Sequence, residues 1–210
     1  MAAATATPAA LPAPAELPRP RTLLVGTAYA TVATVMGFLA LFGIYFSERT
    51  AVMKAATPET KHTAWIAKGL INLPPGGMMM GTMAISVVTM AWGVYSIRRD
   101  DRPRAYLALG LTALFGVSVI NQTIFYYKSW TSLTIVGDKA SLQALLIFTI
   151  TGAHLVMVAV AVLFLALMAF RALAGQYSSR QADGIVAASI FWYATVAVYT
   201  LIYFGIYVAK

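Results

Sequence analysis

Hydrophobic residues in this chain gather into five long runs, at 23–46, 73–97, 105–127, 141–170 and 184–208, and no Asp, Glu, Lys or Arg interrupts any of them. A helix needs about 20 apolar residues to cross the hydrocarbon of a bilayer. All five runs reach that length, and the fourth is long enough to tilt or protrude. Strands mostly run about 3–10 residues, so buried strands are excluded by length. The pattern predicts an all-α membrane protein, with a five-helix transmembrane domain over residues 22–210. Residues 1–21 are rich in Ala and Pro and read as a disordered tail on the cytoplasmic side. The tail does not read as a secretory signal, because no charged segment precedes an apolar run near the start.

The connections carry the topology. Residues 98–104 (RRDDRPR) are a very short turn with four arginines, and the 171–183 link holds Arg171 and Arg180. Arg19 and Arg21 stand before the first run, on the same side of the membrane. The opposite side holds Arg49 and all six lysines, so the basic residues divide eight against seven. Arginines close to helix ends in short loops weigh most, which puts the N-terminus in the cytoplasm and the C-terminus outside. In the long outer loop, 47–72, Thr57-Pro58-Glu59 has the order of an N-cap, a first-turn proline and a first-turn acid. Trp65, Ile66 and Leu70 would then rest in the headgroup layer, with Lys61 and Lys68 in water.

Composition agrees with lipid as the solvent. Sixty per cent of the 210 residues are hydrophobic and 10% are charged, against about 25% charged in a soluble domain. The net charge of +8 belongs to loops flanking apolar runs, so headgroups explain it and nucleic acid does not. There are no cysteines and two histidines, His62 and His154. That excludes disulfides, iron–sulfur clusters, thiolate-bridged copper and a haem-copper centre, which needs several imidazoles. Any redox chemistry belongs to another chain. No phosphate loop, carboxylate pair or Ser/His/Asp set is present. The absence of carboxylates from the runs argues against an ion-coupled transporter acting alone.

A few polar residues stand inside the runs. His154 lies near the middle of the fourth. A haem ligand, a proton relay and a hydrogen-bonded anchor between helices are the readings open to it, and the anchor is the commonest use of such a group. Asn121 and Gln122 lie deep in the third run and read as glue between helices, with a polar lining as the alternative. Gly26, Ala30, Ala33 and Gly37 make a small-residue face on the first helix, suited to close packing within the chain or against a partner. Tyr199, Tyr203 and Tyr207 share a face of the last helix and read as an interfacial belt. Pro74-Pro75-Gly76-Gly77 marks the start of the second helix. The cluster Met78-Met79-Met80 reads as packing, with Cu(I) binding as the rarer use of thioethers.

Several motifs resemble those of subunit III of haem-copper oxidases, in its short five-helix form. The first helix carries Met36-Gly-Phe38-Leu-Ala-Leu41-Phe42-Gly-Ile-Tyr45. The second opens Leu73-Pro74 and reaches Ser86-Val87-Val88-Thr89, similar to the family's Leu-Pro start and Ser-Ser-x-Thr. The third ends Gln122-Thr-Ile-Phe125-Tyr126, similar to Gln-x-x-Glu-Tyr. The fourth has Gly152-Ala153-His154, similar to Gly-x-His, and the fifth Phe191-Trp192-Tyr193, similar to Phe-Trp-His. The family's intramembrane carboxylates and second histidines fall here at Thr34, Met79, Phe125, Met157, Tyr193 and Val196, so the polar network is largely replaced. Thr34, Ser86, Thr89, Asn121, Gln122 and His154 are the polar candidates that remain.

The resemblance implies helices grouped as the first two against the last three, around a lipid-filled cleft. It implies an accessory subunit in a bacterial plasma membrane, docked directly on oxidase subunit I beside subunit II. A cytochrome bc-type supercomplex is a further expected partner. Haem and copper would sit in the partner subunits and phospholipid would be bound. An accessory protein of a nitric oxide reductase, or a small stand-alone transporter, are the alternatives.

Overall fold

A computed structural model describes residues 21–59, 65–66, 71–130, 142–179 and 181–209. Each apolar run forms one helix: α1 Thr22–Ala55, α2 Leu73–Arg98, α3 Arg102–Ser129, α4 Leu142–Leu173 and α5 Asp183–Ile202. All five are long and apolar enough to cross a membrane. Continuous helix is what lipid demands, since it satisfies every backbone N–H and C=O within the segment. The expected tail lies outside the described residues except for Arg21, as does His62.

Helix starts follow local chemistry. Proline stands in the first turn of α2 and of α3, where its missing N–H costs nothing. Asp101 caps α3, accepting from the Arg104 N–H at 3.4 Å and from Arg104 Nη1 at 2.9 Å. Asp100 takes the left-handed conformation (φ 57°) that closes the α2–α3 turn, a region Asp tolerates better than most residues. Its carboxylate accepts from the Ser179 N–H at 2.7 Å, so the arginine-rich turn is tied to the α4–α5 link. Hydrogen bonds from Ser179 hold the Asp100 carboxyl below its ordinary 3.8, with Arg102 adding to the effect.

The first helix runs past the apolar limit at Phe46 to Ala55. Pro58 and Glu59 form a turn after it, and the residues expected to form a helix beyond lie largely outside the described set, including Lys61, Lys68 and Leu70. Trp65 and Ile66 do not lie free in the headgroup layer. Both are buried, and Trp65 Nε1 donates to the Tyr45 hydroxyl at 2.9 Å. The indole is thereby satisfied by the protein itself.

Packing departs from the expected division into the first two helices and the last three. α1 lies along α5 and also touches α4, whereas α2 packs most extensively on α3 and then on α5. α5 therefore borders both, and α1 has no extensive contact with α2. Phe38, Phe42 and Tyr45 form the buried stripe of α1. They fall at steps of four and three, as one helix face requires. Near its end α5 widens into a π-helical turn, Tyr203–Val208.

Candidate functional site

The interior is held by polar side chains that reach across helices. Ser86 on α2 is buried; its hydroxyl donates to Met83 O at 2.6 Å and accepts from Trp192 Nε1 on α5 at 3.0 Å. Thr89 on α2 and Thr112 on α3 share a hydrogen bond of 2.8 Å. His154 on α4 is 3% exposed. Its Nε2 lies 3.1 Å from Thr195 O on α5, so that nitrogen bears the proton and donates. The ring meets Phe38 of α1 edge-on and Tyr199 of α5 at a tilt, with centroids 6.5 and 5.3 Å away. One imidazole on α4 thus touches two other helices, α1 and α5.

Beside it, α2, α3, α4 and α5 enclose a cavity of about 20 Å³ bordered by Met79, Tyr127, Thr151, His154, Tyr199 and Tyr207, among others. That is room for about one water molecule. The Tyr127 hydroxyl donates to Thr151 Oγ1 at 2.8 Å, and Thr151 donates onward to Ile147 O. Tyr199 donates to Gly76 O at 3.1 Å. Tyr207 lies so close to Gly76 that an added Cβ would come within 2.5 Å of its ring. The Pro/Gly stretch is therefore a docking point for α5 as well as a helix start. The tyrosine ladder is not an interfacial belt: Tyr199 and Tyr207 are buried, because this face turns inward, Tyr199 onto Gly76 of α2 and His154 of α4 and Tyr207 onto Gly76 and Trp130. Tyr203 stacks on Tyr207 at 6.1 Å and is half-buried.

The other sequence candidates are dispersed. Thr34 donates to Ala30 O of its own helix at 2.8 Å. Gln122 Nε2 donates to Ser118 Oγ at 3.1 Å, and Asn121 is exposed. Gly26, Ala30, Ala33 and Gly37 all face outward, with no atom near enough to touch a Cβ at either glycine. Among the described residues, nothing packs on that stripe. The pairs Ser86–Trp192 and Tyr199–Gly76 join residues far apart in sequence, and spacing alone carries no sign of them.

Haem and copper, the groups that the motif resemblance associates with neighbouring subunits, do not fit here. Among the described residues no three His, Asp or Glu side chains converge as a metal site. The cavity beside His154 is far smaller than a haem. Met79 borders the same cavity, with Sδ accepting from Thr123 Oγ1 at 3.8 Å, an ordinary packing contact.

Five spanning helices around a tight aromatic interior define a multi-pass helical membrane protein. The sequence profile of the family described as cytochrome c oxidase subunit III matches residues 19–209, and the chain belongs to that family. A cytochrome c oxidase subunit 3 from Pelomedusa subrufa is 28% identical over 147 residues, 68% of this chain and 54% of the relative. One from Tetraodon nigroviridis is 28% identical over 177 residues, 82% of this chain and 64% of the relative. One from Petromyzon marinus is 26% identical over 185 residues, 87% and 69% of the two chains. The chain thus spans between about half and two thirds of the length of these curated relatives.

Proposed function

We propose that this chain is a non-catalytic accessory subunit of an aerobic haem-copper terminal oxidase in a bacterial plasma membrane. It docks on the catalytic subunit that carries haem and copper, beside subunit II, and stabilises it during turnover. The observation that supports this reading most is the interior itself. Trp192, Tyr199 and His154 reach across it to hold helices together, and its cavity admits about one water. A bundle built in this way supplies shape and rigidity, and leaves electron transfer to a neighbour.

The outward faces are apolar, so phospholipid binds along them. Oxygen is apolar and partitions into lipid, so a surface free of charge gives it a route toward the catalytic subunit. Thr34, Ser86, Thr89, Asn121, Gln122 and His154 act in this reading as structural polar groups. Gly26, Ala30, Ala33 and Gly37 form a face for close contact with another helix. The arginines near the α2–α3 turn support an N-terminus in the cytoplasm and a C-terminus outside.

The test is a gentle solubilisation, purification through a tag after Lys210, and a reduced-minus-oxidised haem spectrum of the chains that co-purify. An a-type or o-type haem signal with a large multi-helix partner is expected. A chain purified alone, without haem, would overturn the reading.

A further inference from the structure

Polar side chains inside the spans fall into two kinds. Hydroxyls on outward faces turn back onto their own helix: Thr34 donates to Ala30 O and Thr82 to Met78 O. A carboxamide cannot be satisfied in this way, because it carries two donors and an acceptor with two lone pairs. α3 places two carboxamides side by side. Gln122 Nε2 reaches Ser118 Oγ, and Gln122 Oε1 is buried with no donor. Asn121 is exposed, and its side chain makes no hydrogen bond with any described residue.

Both lie well inside the membrane. Asn121 stands seven residues before Lys128 at the end of α3, about 10 Å deeper at 1.5 Å per residue. Lipid chains offer no donors or acceptors at that depth, and an unmet polar group in hydrocarbon is costly. Around Asn121 the same outward side carries Leu114, Val117, Ile124 and Phe125, the last 67% exposed. The outward face of α1 is broader, but Thr34 and Thr50 there bond within the helix, and nothing on that face specifies what covers it.

We propose that the outer face of α3, centred on Asn121 and flanked by Val117 and Phe125, docks a transmembrane helix of a partner subunit. That helix presents a hydroxyl or carboxamide side chain at the depth of Asn121. The occupant follows from the chemistry. It must bring hydrogen-bonding groups into hydrocarbon, which lipid and soluble chains cannot do. In the accessory-subunit reading, helices of other subunits lie beside this chain. The inference rests on the accessory-subunit reading and assigns the surface through which that subunit is held.

The experiment uses the full chain in its native membrane. A benzophenone side chain is placed at Val117, with Leu163 on the exposed face of α4 as the control position, and the membranes are irradiated. Val117 is expected to give an adduct with a different membrane chain, in clear excess over Leu163. No adduct, or one at twice the mass of this chain, overturns the proposal, the second in favour of self-association. Asn121→Leu is expected to lower the partner recovered with the tagged chain by about fivefold or more, with Asn121→Gln restoring most of it. Undiminished recovery with Asn121→Leu also overturns it. If the unaltered chain brings down a haem-bearing partner while Val117 gives no adduct, the assigned surface fails and the function stands. If the unaltered chain brings down none, the functional reading itself fails.

Discussion

α1 and α5 look alike as hydropathy and differ sharply as structure. Each would cross a bilayer, yet 56% of the most apolar window of α5 is buried inside the bundle against 22% for α1. α5 is fastened by side-chain hydrogen bonds to α2 through Trp192 and Tyr199, and to α4 through Thr195 O. α1 turns its rings inward, Phe42 beside Gly205 near the end of α5, Phe38 against His154 of α4 and Tyr45 against Trp65, and turns its small residues outward. In lipid there is no hydrophobic drive to bring helices together, so shape and interhelical hydrogen bonds decide which helix is central. Apolarity places a helix in the membrane, and side-chain detail places it in the bundle.

Substitutions can break this contrast, beginning with the tightest contact. Gly116 on α3 packs against Val162 of α4 and Trp192 of α5, with no room for a Cβ. Gly116→Leu should destabilise the isolated chain by about 3 kcal/mol, read as a shifted midpoint in denaturing-detergent titration. Gly37→Leu on α1 meets open space and should change that midpoint by less than about 0.5 kcal/mol, while weakening recovery of the partner complex. Equal loss from the two would erase the distinction between inner and outer glycines. Trp192→Phe removes the bond to Ser86 and part of a fully buried ring, and should cost about 2 kcal/mol in the same titration.

His154→Leu removes one bond between α4 and α5. A loss of about 1 kcal/mol is expected, with the haem spectrum of the purified complex unaltered. A changed spectrum would make this histidine a ligand or a close neighbour of one.

The smallest effect is local and depends on pH. The Asp100 carboxyl is held below its ordinary 3.8, chiefly by hydrogen bonds from Ser179. A depressed folded value means the tether is fully present above the ordinary value and is lost as pH falls through the folded one. Amide exchange at Ser179 should therefore be slow at pH 5 relative to the intrinsic rate, and lose its protection as pH falls below 3.8. Asp100→Asn should leave protection weaker and flat across that range. Full protection of the wild-type amide at the lowest pH would refute the assignment.

Much of this architecture was legible in the sequence, and the reasons differ from element to element. The five spans follow from unbroken apolar runs, which need no partner to be recognised. The end of α1 did not, since Ser47 to Thr50 are polar yet continue the helix to Ala55. The inward turn of Tyr199 and Tyr207 was hidden because a step of four defines a face and leaves its neighbour open. The grouping of α1 with α2 rested on the family resemblance alone, and no residue pattern in the two helices asked for it. His154 stood out as a lone imidazole in a span, but its acceptor, a backbone carbonyl on α5, has no sequence signature. Asp100 and Asp101 were overshadowed by the arginines around them. Two acidic residues in a short turn between helices were nonetheless a sign of capping and of a left-handed residue.

In the proposed role this chain stabilises a redox partner and carries no redox centre itself. The most direct test is to delete it and follow the partner oxidase. Haem content per catalytic subunit should be unchanged, initial activity largely retained, and activity lost faster during sustained turnover. Haem lost in proportion to the missing chain, or turnover as durable as in the intact complex, would contradict that claim.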